Sequence, residues 1–350
     1  MILPQTFGAA LLLLILGLLC LGSWASAYKF AGKFRYELFY FDLALGAVVL
    51  AVIFAFTFGN LGYDGFSFMD DLDHSGKKQW LFGVLAGIIF NLGNMLLLSS
   101  VSVSGMTVAF PVAFATALTF STFVNMMGGA AGNSTLLLGG CTLLILAIVV
   151  NAIGCNMLSV LRHEVLARAG KAKSTRRPWS MKGVVLAIVS GLVLAAYLPL
   201  VDKARESELG MGPFTLAVLF MLGLFFSTFV FSIFFVNLPV EGEPAEIGDY
   251  AKAGLKTHFK GMLAGAVLCS GMLAMWVTLQ TSDLFRQSRT LVYFLGQAGP
   301  LVAALWGVLA WKELREGDMR VKITATLMML LFAGGVVLLA LAQVHVPRPT

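Results

Sequence analysis

The sequence predicts an all-α integral membrane protein whose ten transmembrane helices form two inverted five-helix repeats. Three observations lead there: a composition too apolar for a soluble globule, ten apolar runs of membrane-crossing length, and a basic segment that divides those runs five and five. Of 350 residues, 59% are hydrophobic and only 12% are charged, whereas soluble domains carry about 25% charged residues. Mean hydropathy is +0.88. So little charge cannot cover the surface of a water-soluble fold of this size, and so much apolar sequence excludes a disordered chain.

A helix needs about 20 apolar residues to cross a bilayer core. Cutting the chain at its polar and Gly/Pro-rich breaks yields spans over residues 5–28, 38–58, 80–99, 106–127, 135–158, 183–201, 214–238, 261–280, 290–311 and 323–343. The first is followed by Ala25-Ser26-Ala27, which imitates a leader cleavage site. No Lys or Arg precedes it, so the basic region of a leader is missing and the run reads as a span.

The cations orient these spans. Lys29, Lys33 and Arg35, then Arg162, Arg168, Lys171, Lys173, Arg176, Arg177 and Lys182, then Lys252, Lys256 and Lys260, then Lys312, Arg315, Arg320 and Lys322 all fall in odd-numbered loops, 17 of the 24 Lys and Arg. The positive-inside rule makes those loops cytoplasmic and places both termini outside, in the plasma (bacterial inner) membrane. The acidic loop holding Asp64, Asp70, Asp71 and Asp73 then lies outside. The net charge of +6 is thus an orientation signal; without a basic patch interleaved with aromatics it does not indicate nucleic acid.

The organisation expected is a first five-helix repeat over 1–158, a basic cytoplasmic linker over 159–182 and a second repeat over 183–350. Five is odd, so the copies have opposite orientation, as in many secondary transporters. Traces of duplication remain. Gly83-Val-Leu-Ala-Gly87 matches Gly261-Met-Leu-Ala-Gly265 at an offset of 178, which also maps Gly93 onto Gly271; an offset of 174 maps Gly17 onto Gly191 and Lys29 onto Lys203. Small residues one turn apart let helix backbones approach closely, either within the chain or between two copies of it. Monomer and homodimer both remain open.

Polar side chains inside a bilayer are costly, so each is a functional candidate. Glu37, Tyr40 and Asp42 cluster at the start of span 2, where Glu37 or Asp42 either binds a coupling proton or pairs with Lys29, Lys33 and Arg35. Asn91 and Asn94 share one face of span 3 and offer donors and acceptors to a neutral polar ligand, or to neighbouring helices. Tyr293 and Gln297 stand one turn apart in span 9 beside Gly296 and Pro300. Proline frees a backbone carbonyl one turn back, and Pro111 in span 4 suggests that both repeats carry an interrupted fourth helix near a central site. Trp24 and Tyr28, with Trp276 in span 8, are either stacking faces for a planar ligand or interfacial anchors.

Several chemistries lack their residues. The cysteines Cys20, Cys141, Cys155 and Cys269 lie in apolar runs with no Cys-x-x-Cys, and His74, His163, His258 and His345 fall in loops or the tail without ligand spacing. These patterns indicate no metal site and no disulfide framework. Phosphate-loop, zinc-protease and serine-hydrolase motifs are missing, which disfavours an ATP-driven pump or an enzyme. No cofactor is expected.

Several blocks carry a resemblance: Gly22-Ser-Trp-Ala-Ser-Ala-Tyr-Lys29, Arg35-Tyr-Glu-Leu-Phe-Tyr-Phe-Asp42, Asn91-Leu-Gly-Asn-Met95, Gly105-Met-Thr-Val-Ala-Phe-Pro111, Gly212-Pro-Phe-Thr215, Pro239-Val-Glu-Gly-Glu-Pro244 and Leu295 through Glu313. With them the chain resembles the bacterial branch of the ureide permease family, which is similar to the glucose/ribose porters within the drug/metabolite transporter superfamily. The resemblance implies ten helices in two inverted repeats, a central cavity and proton-coupled import of small polar solutes such as allantoin, uracil and related oxo-heterocycles. The family's plant members carry a phosphate-loop-like motif in a long central loop, where this chain has only the short basic stretch 159–182.

The expected function is therefore alternating-access uptake through a cavity lined by spans 1, 3, 4, 6, 8 and 9. Asn91, Asn94 and Gln297 would read the solute's edges, Trp24, Tyr293 and Trp276 would cover its faces, and Glu37 or Asp42 would take the proton. Monosaccharide uptake on the same fold is the alternative. Drug efflux and a non-transporting scaffold fit less well, since the first expects an apolar cavity and the second needs no intramembrane polar groups.

Overall fold

The computed structural model describes residues 1–32, 34–129, 132–168, 181–237, 240, 246, 248–281 and 289–344. Lys33, residues 169–180 of the linker with Lys171, Lys173, Arg176 and Arg177, most of the Pro239–Pro244 block, and His345 lie outside them. The described chain is helical, with no strand. In order it forms α1 (Phe7–Ser23), α2 (Ser26–Phe30), α3 (Tyr36–Phe56), α4 (Phe68–His74), α5 (Lys77–Ser104), α6 (Met106–Met127) and α7 (Ser134–Arg168). There follow α8 (Lys182–Arg205), α9 (Pro213–Asn237), α10 (Gly248–Lys252), α11 (Leu255–Gln280), α12 (Arg289–Gln297), α13 (Gly299–Leu305), a π-helical turn (Trp306–Ala310) and α14 (Met319–Val344).

Eight of these helices, α3, α5, α6, α7, α8, α9, α11 and α14, are long and apolar enough to cross a membrane. Their outward residues are greasy: Leu330 on α14 is 65% exposed and Val230 on α9 is 66% exposed, a surface that requires an apolar solvent. The pair α12 and α13 passes the same test only as one span bent by 44°, and α1 is a shorter apolar helix.

Differences from the expected boundaries have local causes. Span 1 stops at Ser23 because the hydrogen-bond step shortens there: Trp24 N–H still reaches Cys20 O at 3.1 Å, but Ala27 and Tyr28 donate to Trp24 O and Ala25 O, three residues back. Helix α7 runs ten residues past 158, so the start of the expected linker is helical; Leu158, Leu161 and Met157 give that extension an apolar side against Leu314 and Val321. Helix α11 starts at Leu255, before the apolar run, and carries His258 within it. His258 is therefore a helical residue, not a loop residue.

The two prolines behave differently. Pro300 is the second residue of α13, where its missing N–H costs nothing, and α12 ends before it. Pro111 corrects the expectation of an interrupted fourth helix, because α6 runs unbroken through it. The carbonyl that Pro111 frees is that of Thr107, and the Asn151 amide from α7 donates to it at 3.4 Å and to Val108 O at 3.5 Å. The carbonyl thereby has a partner inside the protein.

The chain forms two compact units: Met1–Met95 with Ala196–Gly299, and Leu96–Ala195 with Pro300–Thr350. Each draws on both halves of the sequence, and α5 and α8 contribute to both.

Glycines set the helix spacing in the first unit. A Cβ on Gly265 of α11 would fall on the Leu43 carbonyl of α3, and one on Gly46 of α3 would fall on the Met262 carbonyl of α11. The same contact recurs elsewhere in the unit: Gly87 of α5 meets the Phe220 carbonyl of α9, and Gly223 of α9 meets the Val84 carbonyl of α5. Both seams are backbone against backbone within one chain. Gly83 differs, because its nearest neighbour is the flexible Met211 Cε at 2.8 Å.

In the second unit α14 packs along α7 through Gly140 and Gly335, whose Cβ positions lie 3.0 and 3.1 Å from each other's carbonyl oxygens. The start of α6 is tied down by a distant acid. Glu313 accepts from the Met106 and Thr107 backbone N–H groups, each at 2.9 Å, and from the Thr107 hydroxyl at 2.6 Å. Gly105 precedes that turn with φ of 89° and leaves no room for a side chain beside the Glu313 carboxylate.

Candidate functional site

The nine candidate substrate and proton residues, Trp24, Glu37, Tyr40, Asp42, Asn91, Asn94, Trp276, Tyr293 and Gln297, all fall in the first unit. Helix α3 organises the polar ones. Its first two turns send Glu37, Tyr40 and Asp42 in different directions, and all three are buried.

Glu37 is held by its neighbour. Arg35 grips both carboxylate oxygens, Nη2 to Oε1 at 2.7 Å and Nε to Oε2 at 3.2 Å. A bidentate guanidinium pair of this kind occupies both carboxylate oxygens.

Asp42 has different partners. Its side chain is 3% exposed, and its Oδ1 accepts from the Tyr250 hydroxyl of α10 at 2.6 Å while its Oδ2 lies 2.8 Å from His258 Nδ1 of α11. Burial first, and then the hydrogen bond to Asp42, push the Tyr250 hydroxyl well above its ordinary range, so it stays a donor. His258 retains 19% exposure of its side chain. Phe34 packs edge-on to the His258 ring at 6.0 Å, and Tyr250 packs on it at 4.6 Å. The acid fits here because α11 presents Gly261 opposite it; a Cβ on Gly261 would collide with the Asp42 Cβ.

This dyad can carry a proton. With neutral His258 donating from Nδ1, the pair bears one negative charge; adding a proton at Nε2 gives an imidazolium–carboxylate pair with no net charge. Sequence reasoning singled out Asp42 but missed His258 and Tyr250. One signal was available: residues 258, 261 and 265 share a helix face, so extending span 8 by one turn puts His258 beside the glycine seam.

Tyr40 points the other way, and its hydroxyl accepts from the Asn94 amide of α5 at 3.0 Å. Asn91, one turn before Asn94, donates into α9, with Nδ2 at 3.0 Å from Leu224 O, 2.7 Å from Ser227 Oγ and 3.1 Å from Thr228 Oγ1. Both hydroxyls donate in turn to backbone carbonyls of α9, which fixes the amide orientation. The Asn91 Oδ1 acceptor is buried with no hydrogen-bond partner among the described residues.

An aromatic group adjoins these carboxamides. Trp276 meets Phe220 edge-on at 5.2 Å, and Phe220 meets Phe90, the residue before Asn91, at 5.2 Å. Trp24 is buried at the end of α1. Tyr293 and Gln297 are half-buried on α12, which packs against α1, and the Cβ position of Gly296 faces open space. The structure thus brings Tyr40 and Asn94 into direct contact and relates Asn91 to Trp276 through two phenylalanines. Among the described residues no group of three His, Cys, Asp or Glu has metal-holding geometry.

No family model and no curated protein matches the chain. A solved structure described only as "Crystal structure of protein" is similar at a TM-score of 0.45 and 14% identity, over 95% of this chain and 99% of that one.

Proposed function

We propose that the chain is a secondary transporter that takes up a small polar solute, an oxo-heterocycle such as allantoin or uracil, together with a proton by alternating access. The reading places it in the plasma membrane as ten spans in two inverted repeats, with both termini outside. It extends the resemblance to the bacterial ureide permeases.

The repeat reading is supported by the reciprocity of the glycine seams. Span 3 meets span 7 through Gly87 against Phe220, and span 8 meets span 2 through Gly265 against Leu43. The glycines differ by the offset of 178 seen in the sequence, and the facing residues Leu43 and Phe220 differ by 177. A duplicated pair of helices exchanging partners in this way is what an inverted repeat produces.

One observation carries the functional reading: the buried Asp42–His258–Tyr250 cluster interrupts that duplicated packing. Gly261 faces Asp42, whereas its counterpart Gly83 has Leu219 as a neighbour, with its Cβ at 3.6 Å. Leucine satisfies the seam in one copy, so helix packing alone does not require an acid in the other. An ionisable group kept inside an apolar span without a packing need is a functional group by default. Protonation removes the dyad's net charge, and a neutral dyad crosses a low-dielectric environment at far lower cost. In this reading Asn94 and Tyr40 contact the solute, with Asn91 Oδ1 as an unfilled acceptor beside them.

Ligand-dependent unfolding of the purified protein tests the solute class. A ligand that binds only the folded state adds about 2.7 kcal/mol of stability at a hundred times its Kd. Allantoin or uracil is expected to raise the unfolding midpoint, glucose and ribose to leave it unchanged, and Asn94→Ala to abolish the shift. Stabilisation by the sugars alone would transfer the reading to monosaccharide uptake.

A further inference from the structure

In the other unit the π-helical turn, the following loop and the start of α14 border an open cavity of about 530 Å³. Its rim carries Lys312, Arg315 and Lys322, and its walls include Leu314, Ala325 and Met329. No acid lines it.

The acids of the same loop are committed elsewhere. Glu313 caps α6, Glu316 pairs with Arg162 at 3.1 Å, and Asp318 accepts from the Val321 N–H at the start of α14 at 3.0 Å. The three rim cations have no carboxylate or side-chain hydrogen-bond partner among the described residues. Lys312 is also held at φ of 50°, a left-handed conformation uncommon for a residue with a side chain. Three like charges converge on one cavity with no carboxylate paired to them among the described residues.

Polarity falls along α14, where the lining Thr326 donates its hydroxyl hydrogen to the Lys322 carbonyl at 3.0 Å. Lys322 sits in the first turn, and Met329 lies about 10 Å deeper at 1.5 Å per residue, within the segment Met319–Gln343 that is long enough to cross a membrane. The floor is apolar as well, resting on Leu314, Leu158 and Val321. A cationic mouth above an apolar slot matches a phospholipid, with phosphate at the rim and acyl chain along the helix. A soluble phosphate would leave the slot unfilled. The positive-inside rule assigns this loop to the cytoplasmic leaflet, the one rich in anionic lipid.

We propose that the cavity bounded by Lys312, Arg315 and Lys322 binds an anionic phospholipid, its headgroup phosphate shared by the three cations and one acyl chain lying along Ala325 and Met329.

Native mass spectrometry of the full chain in detergent tests this with phosphatidylglycerol, phosphatidylcholine and glycerol phosphate as probes. Retention of phosphatidylglycerol over phosphatidylcholine is expected to reach roughly a hundredfold, since three cations near the headgroup contribute about a kcal/mol each and about 1.4 kcal/mol is tenfold. The triple variant Lys312→Gln, Arg315→Gln, Lys322→Gln is expected to lose the preference, and Arg320→Gln, an exposed cation outside the rim, to keep it. Equal retention of the two lipids by the unmodified protein would overturn the proposal without recourse to a variant. So would a preference that survives the triple change, or glycerol phosphate binding as well as the lipid.

Discussion

Replacing Gly265 by alanine is expected to lower the stability of the detergent-solubilised protein by about 3 kcal/mol or more, at the upper end of overpacking costs. The added methyl falls on the Leu43 carbonyl oxygen, with the Ala47 nitrogen 2.7 Å away. Both are backbone atoms in mid-helix, so neither moves aside without shifting α3. The reciprocal contact of Gly46 with Met262 closes the same seam, so separation of the helices at one glycine also opens the other. Gly83→Ala is the control: its methyl crowds the end of Met211, a flexible thioether that adjusts, and lies in ordinary contact with Leu219 and Leu216 at 3.6 and 3.7 Å, so the cost should stay within about 0.5 kcal/mol. Thermal or denaturant unfolding of both variants measures the difference. Similar values for Gly83 and Gly265 would contradict the view that backbone contact, and not a general intolerance of bulk, sets the spacing.

Glu313→Ala is the second large effect. The carboxylate accepts two backbone N–H bonds and one hydroxyl bond at the start of α6, so it acts as a helix cap supplied from about two hundred residues away in the chain. Charged hydrogen bonds contribute about 1.5–3 kcal/mol each and are not additive when they share one group, which sets the expected loss at about 2–4 kcal/mol. Glu313→Gln retains acceptor capacity without the charge that favours a helix N-terminus, and should recover about half of it. The π-helical turn before Glu313 leads to its position: Trp311 N–H bonds to Trp306 O, five residues back, and Glu313 N–H bonds to Gly307 O at 2.9 Å. Thr107 crowds Gly307 in turn, so the acid, the turn and the start of α6 are held together.

Hydropathy makes the helices legible because a span is a property of composition over twenty residues. Eight of the ten apolar runs coincide with single long helices, whereas the run 290–311 is bent between α12 and α13 and the run 5–28 falls on the short α1 and α2. It does not reveal ends that are polar or amphipathic, which is where the site assembles. His258 escaped because Lys256, His258 and Lys260 dilute the start of α11, although they belong to the same helix as Gly261. Tyr250 escaped for a different reason, since a five-residue helix between polar stretches has no periodicity to detect. Pro111 was misread because proline statistics describe the break and not its repair, and Asn151, which supplies the missing donor, lies forty residues away. Asp42 was legible because an acid inside an apolar run is conspicuous without any structure. Its partners required the fold.

On the proposed mechanism the Asp42–His258 dyad also decides how substitutions at Asp42 behave. Asparagine preserves the shape and an acceptor for Tyr250 but shifts the dyad from charges of minus one and zero to zero and plus one, so the protonated form becomes the costly one. Uptake of labelled allantoin or uracil into proteoliposomes, with and without an inward proton gradient, tests the central claim most directly. The account predicts that the gradient accelerates uptake by the unmodified protein and that Asp42→Asn loses the gradient-driven component while remaining folded. An initial rate that is the same with and without the gradient in the unmodified protein would contradict it.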